Sequence, residues 1–130
     1  MLTIKIFSFS YLRSEIPHDD SGNGGGFVFD CRYIFNPGKY LEYQDKTGMD
    51  KEVRELLDSK PDMQKFLENV KNLIGEAIDK YLERDFTSLF VAFGCTGGRH
   101  RSVYAAERLL DFIEENFPKV RVILTHKELR

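Results

Sequence analysis

Seven consecutive residues, Cys95-Thr96-Gly97-Gly98-Arg99-His100-Arg101, concentrate most of the reactive and anion-seeking chemistry of this 130-residue chain. An apolar run before them (Leu89 to Phe93) reads as a buried strand, and a helical pattern begins near Arg101. A glycine-rich turn from a strand into a helix leaves backbone N–H groups converging at the positive end of the helix dipole. Thr96, Gly97 and Gly98 supply amides, Arg99 and Arg101 supply charge, and His100 adds a hydrogen bond or a titratable contact. The spacing predicts an anion site, with phosphate the first choice of anion.

A covalent reading uses the same residues. Cys95 and Arg101 enclose five positions and Ser102 follows, the C-x5-R-[ST] pattern of cysteine-dependent phosphatases. In that chemistry a thiolate attacks phosphorus, an arginine fork holds two equatorial oxygens, and the serine hydroxyl steadies the sulfur. Gly94 stands where those enzymes usually carry histidine. No general acid is identifiable among the loop carboxylates Asp19, Asp45 and Asp50. Two readings therefore stay open. The first is a non-covalent cradle with no catalytic residue. The alternative is an enzyme built on Cys95, Arg101 and Ser102.

Asp30 and Arg32, two apart in a strand-like run, share a face. Asp30 could accept a sugar hydroxyl or an ammonium, and Arg32 could assist a phosphate; a plain ion pair is the competing reading. Thr47-Gly48-Met49-Asp50 reads either as a helix cap or as a helix start brought to the pocket. His18, Asp19 and Asp20 read as a solvated loop, so no metal and no cofactor is expected. Lys119, Arg121, Lys127 and Arg130 form a thin basic edge.

Elements must position these groups. Leu2 to Ser10 alternates as a half-buried strand, and Tyr11 to Gly26 is a polar connection ending in a glycine-rich loop. Phe27 to Phe35 reads as a second strand, stopped by Asn36-Pro37-Gly38. Asp50 caps a short helix through Leu57, and Pro61 opens a longer one to about Arg84. That longer helix buries Met63, Phe66, Leu67, Val70, Leu73, Ile74, Ala77, Ile78, Tyr81 and Leu82. After the Leu89–Phe93 strand come a helix from Arg101 to about Asn116 and a last strand, Val120 to Leu124. The order predicts a single α/β domain over residues 1–130: one mixed, partly parallel sheet layer flanked by helices.

Composition narrows the class. Hydrophobic residues make up 42%, enough for a core without disulfides, and the formal net charge of −2 argues against nucleic-acid binding through global charge. Cys31 and Cys95 lie in apolar contexts, which predicts reduced thiols and a cytoplasmic protein. No run approaches a membrane span and no signal-peptide pattern opens the chain, so no membrane partner is expected. Homo-oligomerisation is left open.

FVFDCRYIFNP (Phe27 to Pro37), KTGMD (Lys46 to Asp50) and GCTGGRHRSVYAAE (Gly94 to Glu107) resemble the C-terminal domain of the RapZ family of bacterial RNase adapter proteins. Ser8-Phe9 with Tyr11, and Thr125-His126, are weaker echoes in family order. The resemblance implies a stand-alone domain lacking the family's P-loop half, since no G-x-x-x-x-G-K-[ST] occurs here. It implies a regulatory domain that senses a phosphorylated amino sugar, glucosamine-6-phosphate first. RNA or a regulatory protein are the other partners it implies. By position, Asp30, Arg32, Cys95, Thr96, Gly97, His100 and Arg101 match the family's ligand pocket. The chain departs from the RNA-binding members at Gly38, Glu42, Gln44 and Asp45.

Overall fold

In the first strand, β1 (Thr3–Ser10), Ile4 and Ile6 are buried to one side and Phe9 to the other. This computed structural model describes residues 1–129, so Arg130 of the expected basic edge lies outside the described residues. The remaining strands are β2 (Phe27–Asp30), β3 (Ser88–Cys95) and β4 (Arg121–His126). They form one sheet in the order β2-β3-β1-β4. Every pairing is parallel, so the parallel part expected around the Cys95 strand takes in the whole layer.

The alternation divides the core. Ile4, Ile6, Leu89, Val91, Phe93 and Cys95 join one large cluster with the helices α1 (Lys51–Asp58), α2 (Pro61–Glu83) and α3 (Arg101–Asn116). Phe9, Phe90 and Ala92 form a separate cluster with Phe7 and Tyr11. All three helices thus cover one face. The other face is crossed by the Tyr11–Gly26 connection, where Tyr11 meets Phe9 edge-on and Asp20 pairs with Lys5 at 2.6 Å. Parallel crossovers are right-handed almost without exception. The connection from β1 to β2 and the crossovers through the helices run in opposite directions along the sheet, so they belong on opposite faces.

Four expectations change in detail. The run from Phe27 to Phe35 leaves the sheet after Asp30, because the Asp30 carboxylate accepts the Arg32 amide at 2.9 Å and Cys31 and Ile34 close a turn. The third and fourth strands extend further toward their C-terminal ends, to Cys95 and His126. In α2, Leu73 and Leu82 are exposed, since the helix buries only a stripe against its neighbours. Asp50 precedes α1 without capping it; its carboxylate accepts the Thr47 amide instead.

Candidate anion-binding site

A wholly parallel sheet brings the C-terminal ends of all its strands to one rim, and ligands of such sheets bind in the crevice there where crossovers diverge. Here the divergence lies between β1, whose chain turns toward β2, and β3, whose chain crosses to β4. Ser10 and Cys95 end those two strands as ladder partners. The Ser10 hydroxyl, fully buried, donates to the Thr96 carbonyl at 2.6 Å and accepts the amides of Leu12 and Arg13. Sequence reasoning missed Ser10; its one signal was a small polar residue at the end of a strand.

Beyond Cys95 the loop doubles back. Gly98 has a φ of +70°, and a side chain there would press on the Ser10 amide at 2.8 Å. Gly97 has open space around it. The Arg99 carbonyl accepts the Gly48 amide at 2.8 Å, which brings the Thr47–Asp50 segment against the start of α3. His100 precedes that helix without a side-chain cap. Its Nε2 lies 2.8 Å from the Tyr43 carbonyl, which assigns the proton to Nε2 and leaves Nδ1 facing the cavity side near Gly38. Burial depresses the pKa of this imidazole, the Tyr43 carbonyl opposes that, and Arg99 and Arg101 add to the depression. Hence His100 is neutral near pH 7.

Arg101 is only 3% exposed. Its Nη1 donates to the carbonyls of Arg32 at 2.8 Å and Ile34 at 3.0 Å, while Nη2 points at Thr96 Oγ1, 3.5 Å away. Its Nε is buried with no partner. Among the described residues no carboxylate pairs with this guanidinium. A buried charge without a direct counter-ion is unfavourable, and the Asp30 carboxylate feels this one only as a minor cause of its lowered pKa.

Cys95 is buried, and its Sγ lies 3.1 Å from Ser102 Oγ. Cys95, Thr96, Gly97, Arg99, His100 and Arg101 line a cavity of about 190 Å³ together with Asn36 and Gly38. Arg101, Thr96 and Asn36 also line an adjoining cavity of about 510 Å³, walled by Arg32 to Phe35, Lys39, Tyr40 and Asp62. Asn36, Lys39 and Asp62 are further residues that sequence reasoning missed. The Asn36-Pro37-Gly38 turn was legible as a turn, but nothing local placed it opposite the glycine loop.

Asp30 and Arg32 do not share a strand face. They bind one another: Arg32 Nε and Nη2 donate to the Asp30 carboxylate at 2.9 and 2.7 Å, and that bond is the main cause lowering the Asp30 pKa. The Arg32 guanidinium stacks 4.0 Å above the Tyr11 ring. Arg32 lines the larger cavity and Asp30 lines neither. No helix among the described residues is long and apolar enough to cross a membrane.

The sequence model of the RapZ C-terminal domain matches residues 2–130. A protein of Thermosipho melanesiensis named "Nucleotide-binding protein" is 36% identical over 127 residues, which cover 98% of this chain and 42% of the relative. Proteins of the same name from Desulforudis audaxviator and Caldicellulosiruptor saccharolyticus are 36% identical over 128 and 129 residues. Those matches cover 98% and 99% of this chain and 41% of each relative. The chain thus spans about two fifths of the length of these relatives.

Proposed function

This chain belongs to the RapZ C-terminal domain family, and on that premise we propose that it is a regulatory domain binding a phosphorylated small molecule at the Cys95–Arg101 loop. One observation carries the reading: Arg101 is buried, has no acidic partner among the described residues, and keeps Nε unpartnered beside a cavity. The phosphate belongs in the smaller cavity, within reach of the loop amides and Nη2 of Arg101. The larger cavity takes the body of the ligand. Its walls mix Arg32, Lys39, Asn36 and Asp62, a set that suits a hydroxylated ring better than an apolar one, and a sugar phosphate such as glucosamine-6-phosphate fits that chemistry.

The C-x5-R phosphatase is the second reading, favoured by the Cys95–Ser102 contact. Nη1 of Arg101 is engaged by the Arg32 and Ile34 carbonyls, so the Nε–Nη2 edge is what remains for an oxyanion, and that edge serves either reading. Against the enzyme stands Gly94, where such phosphatases usually carry histidine. RNA is a weaker third reading, because the cradle is a recess rather than a basic surface.

A thermal-shift panel of sugar phosphates, nucleotides, free sugars and inorganic anions tests this. A ligand at a hundred times its Kd stabilises the protein by about 2.7 kcal/mol. The expected result is a shift with a sugar phosphate, a smaller one with phosphate or sulfate, and none with the free sugar. Stabilisation by nucleotides alone, or by no anion, overturns the proposal.

A further inference from the structure

Cys31 and Cys95 are neighbours across the β2–β3 edge. The ladder pairs Phe27 with Val91, Phe29 with Phe93 and Asp30 with Gly94. The Cys31 amide extends it one step, donating to the Gly94 carbonyl at 2.7 Å. Partners on parallel strands project to the same face. Phe29 and Phe93 show that face, with ring centroids 5.4 Å apart. Cys31 and Cys95 are the next pair on it, 0% and 2% exposed, within the core under the helices. Adjacent strands set such Cα atoms about 4.8 Å apart. Disulfides span roughly 4.4–6.8 Å between Cα atoms. Since β2 ends at Asp30, Cys31 lies where the chain is leaving the sheet, and the backbone can close the gap. The thiols also sense each other: burial holds the Cys31 thiol well above its ordinary range, and Cys95 is the next cause.

We infer that Cys31 and Cys95 are an oxidisable dithiol that closes to an intramolecular disulfide when a peroxide enters the cradle. Entry is through Cys95, which lines the smaller cavity. Its sulfur attacks one peroxide oxygen, the O–O bond breaks, and the departing hydroxide leaves as water with the thiol proton. The Cys31 sulfur then attacks the resulting sulfenic acid. The S–O bond breaks, the S–S bond forms, and the hydroxide leaves with the Cys31 proton as a second water. The two thiols supply the two electrons that reduce the peroxide. The bond ties the Cys31–Ile34 turn, whose carbonyls receive Arg101, to the first residue of the anion loop. It also draws Cys95 from Ser102. This inference rests on the placement of the two thiols and not on what the cradle binds.

The test uses the native full chain, treated with hydrogen peroxide, alkylated, digested without reduction and mapped by mass spectrometry. The expected product is one peptide joining Cys31 to Cys95, two hydrogens lighter than the separate thiols and released by a reductant. In Cys31→Ala the same treatment yields a Cys95 sulfenic acid that dimedone traps. Cys31→Val serves where alanine disturbs the core. Three results overturn the inference: Cys95 passing to sulfinic acid in the native chain while Cys31 stays alkylatable, disulfide-linked dimers through Cys95, or a cross-link that forms only after denaturation.

Discussion

Gly48 abuts the backbone of His100 so closely that a β-carbon there would collide with the His100 carbonyl and lie 2.6 Å from the Tyr104 amide nitrogen. Neither atom is a flexible side-chain end, so both must move with α3. Gly48→Ala is expected to cost about 1–3 kcal/mol, the usual scale of overpacking. Urea unfolding measures the loss, and phosphate binding should weaken with it because the same turn of helix carries Arg101. An unchanged unfolding midpoint would remove Gly48 from the support of the site.

Arg101 braces the Arg32 and Ile34 carbonyls and is proposed to hold the anion, two roles that substitution can separate. Arg101→Ala should weaken sugar-phosphate binding by about 1.5–3 kcal/mol, the scale of a charge-assisted hydrogen bond. It should also destabilise the fold, since the Arg32 and Ile34 carbonyls lose their donor. Arg101→Lys keeps the charge, but a compact ammonium lacks the planar guanidinium that reaches carbonyls on one side and an anion on another edge. Titration calorimetry on the lysine variant should therefore still show much of the affinity deficit. Wild-type affinity in both variants would place the anion elsewhere.

Cys95 separates binding from catalysis. Cys95→Ser is expected to retain most anion binding, and the wild type should hydrolyse aryl phosphates no faster than the variant. Bound phosphate should also slow iodoacetamide labelling of Cys95, because the cavity proposed for the anion is the one Cys95 lines. Robust turnover abolished by Cys95→Ser would promote the enzyme reading.

His100 gives the fold a pH dependence of known sign. Its folded pKa lies below its unfolded value near 6.5, so the unfolded chain binds more protons in the window beneath that value. Stability is intact above about pH 6.5 and declines as the pH falls through the window toward the folded value. His100→Gln should flatten this slope in urea midpoints compared between about pH 7.5 and about pH 5.5. His18 and His126 are common to both proteins, so the difference belongs to His100. An identical slope in the variant would remove His100 as its source.

The strand, glycine loop and helix around Cys95 were legible in the sequence because their signals are contiguous: an apolar run, two glycines, then a helical period. The α/β layer followed from element order. Residues 31–35 misled because FVFDCRYIF keeps strand-like composition past the point where Asp30 captures the Arg32 amide. Composition is blind to a side chain that ends its own strand. Ser10 and Asn36 were illegible for another reason: each enters the site only through pairing or packing with segments far along the chain. The direction of the Arg101 fork, turned toward carbonyls rather than wholly toward the loop, is likewise a property of the packed turn.

The order β2-β3-β1-β4 also has a kinetic meaning. β1 finds both of its partners in the last third of the chain, with Thr3 opposite Ser88 and Arg121. Long loops must close before any of that pairing is rewarded, which slows folding. The rim that joins Ser10 to Cys95 is therefore completed late on the folding route. An anion that binds only this rim should leave the refolding rate almost unchanged and slow unfolding instead. On that account a ligand lengthens the lifetime of the native domain without hastening its arrival.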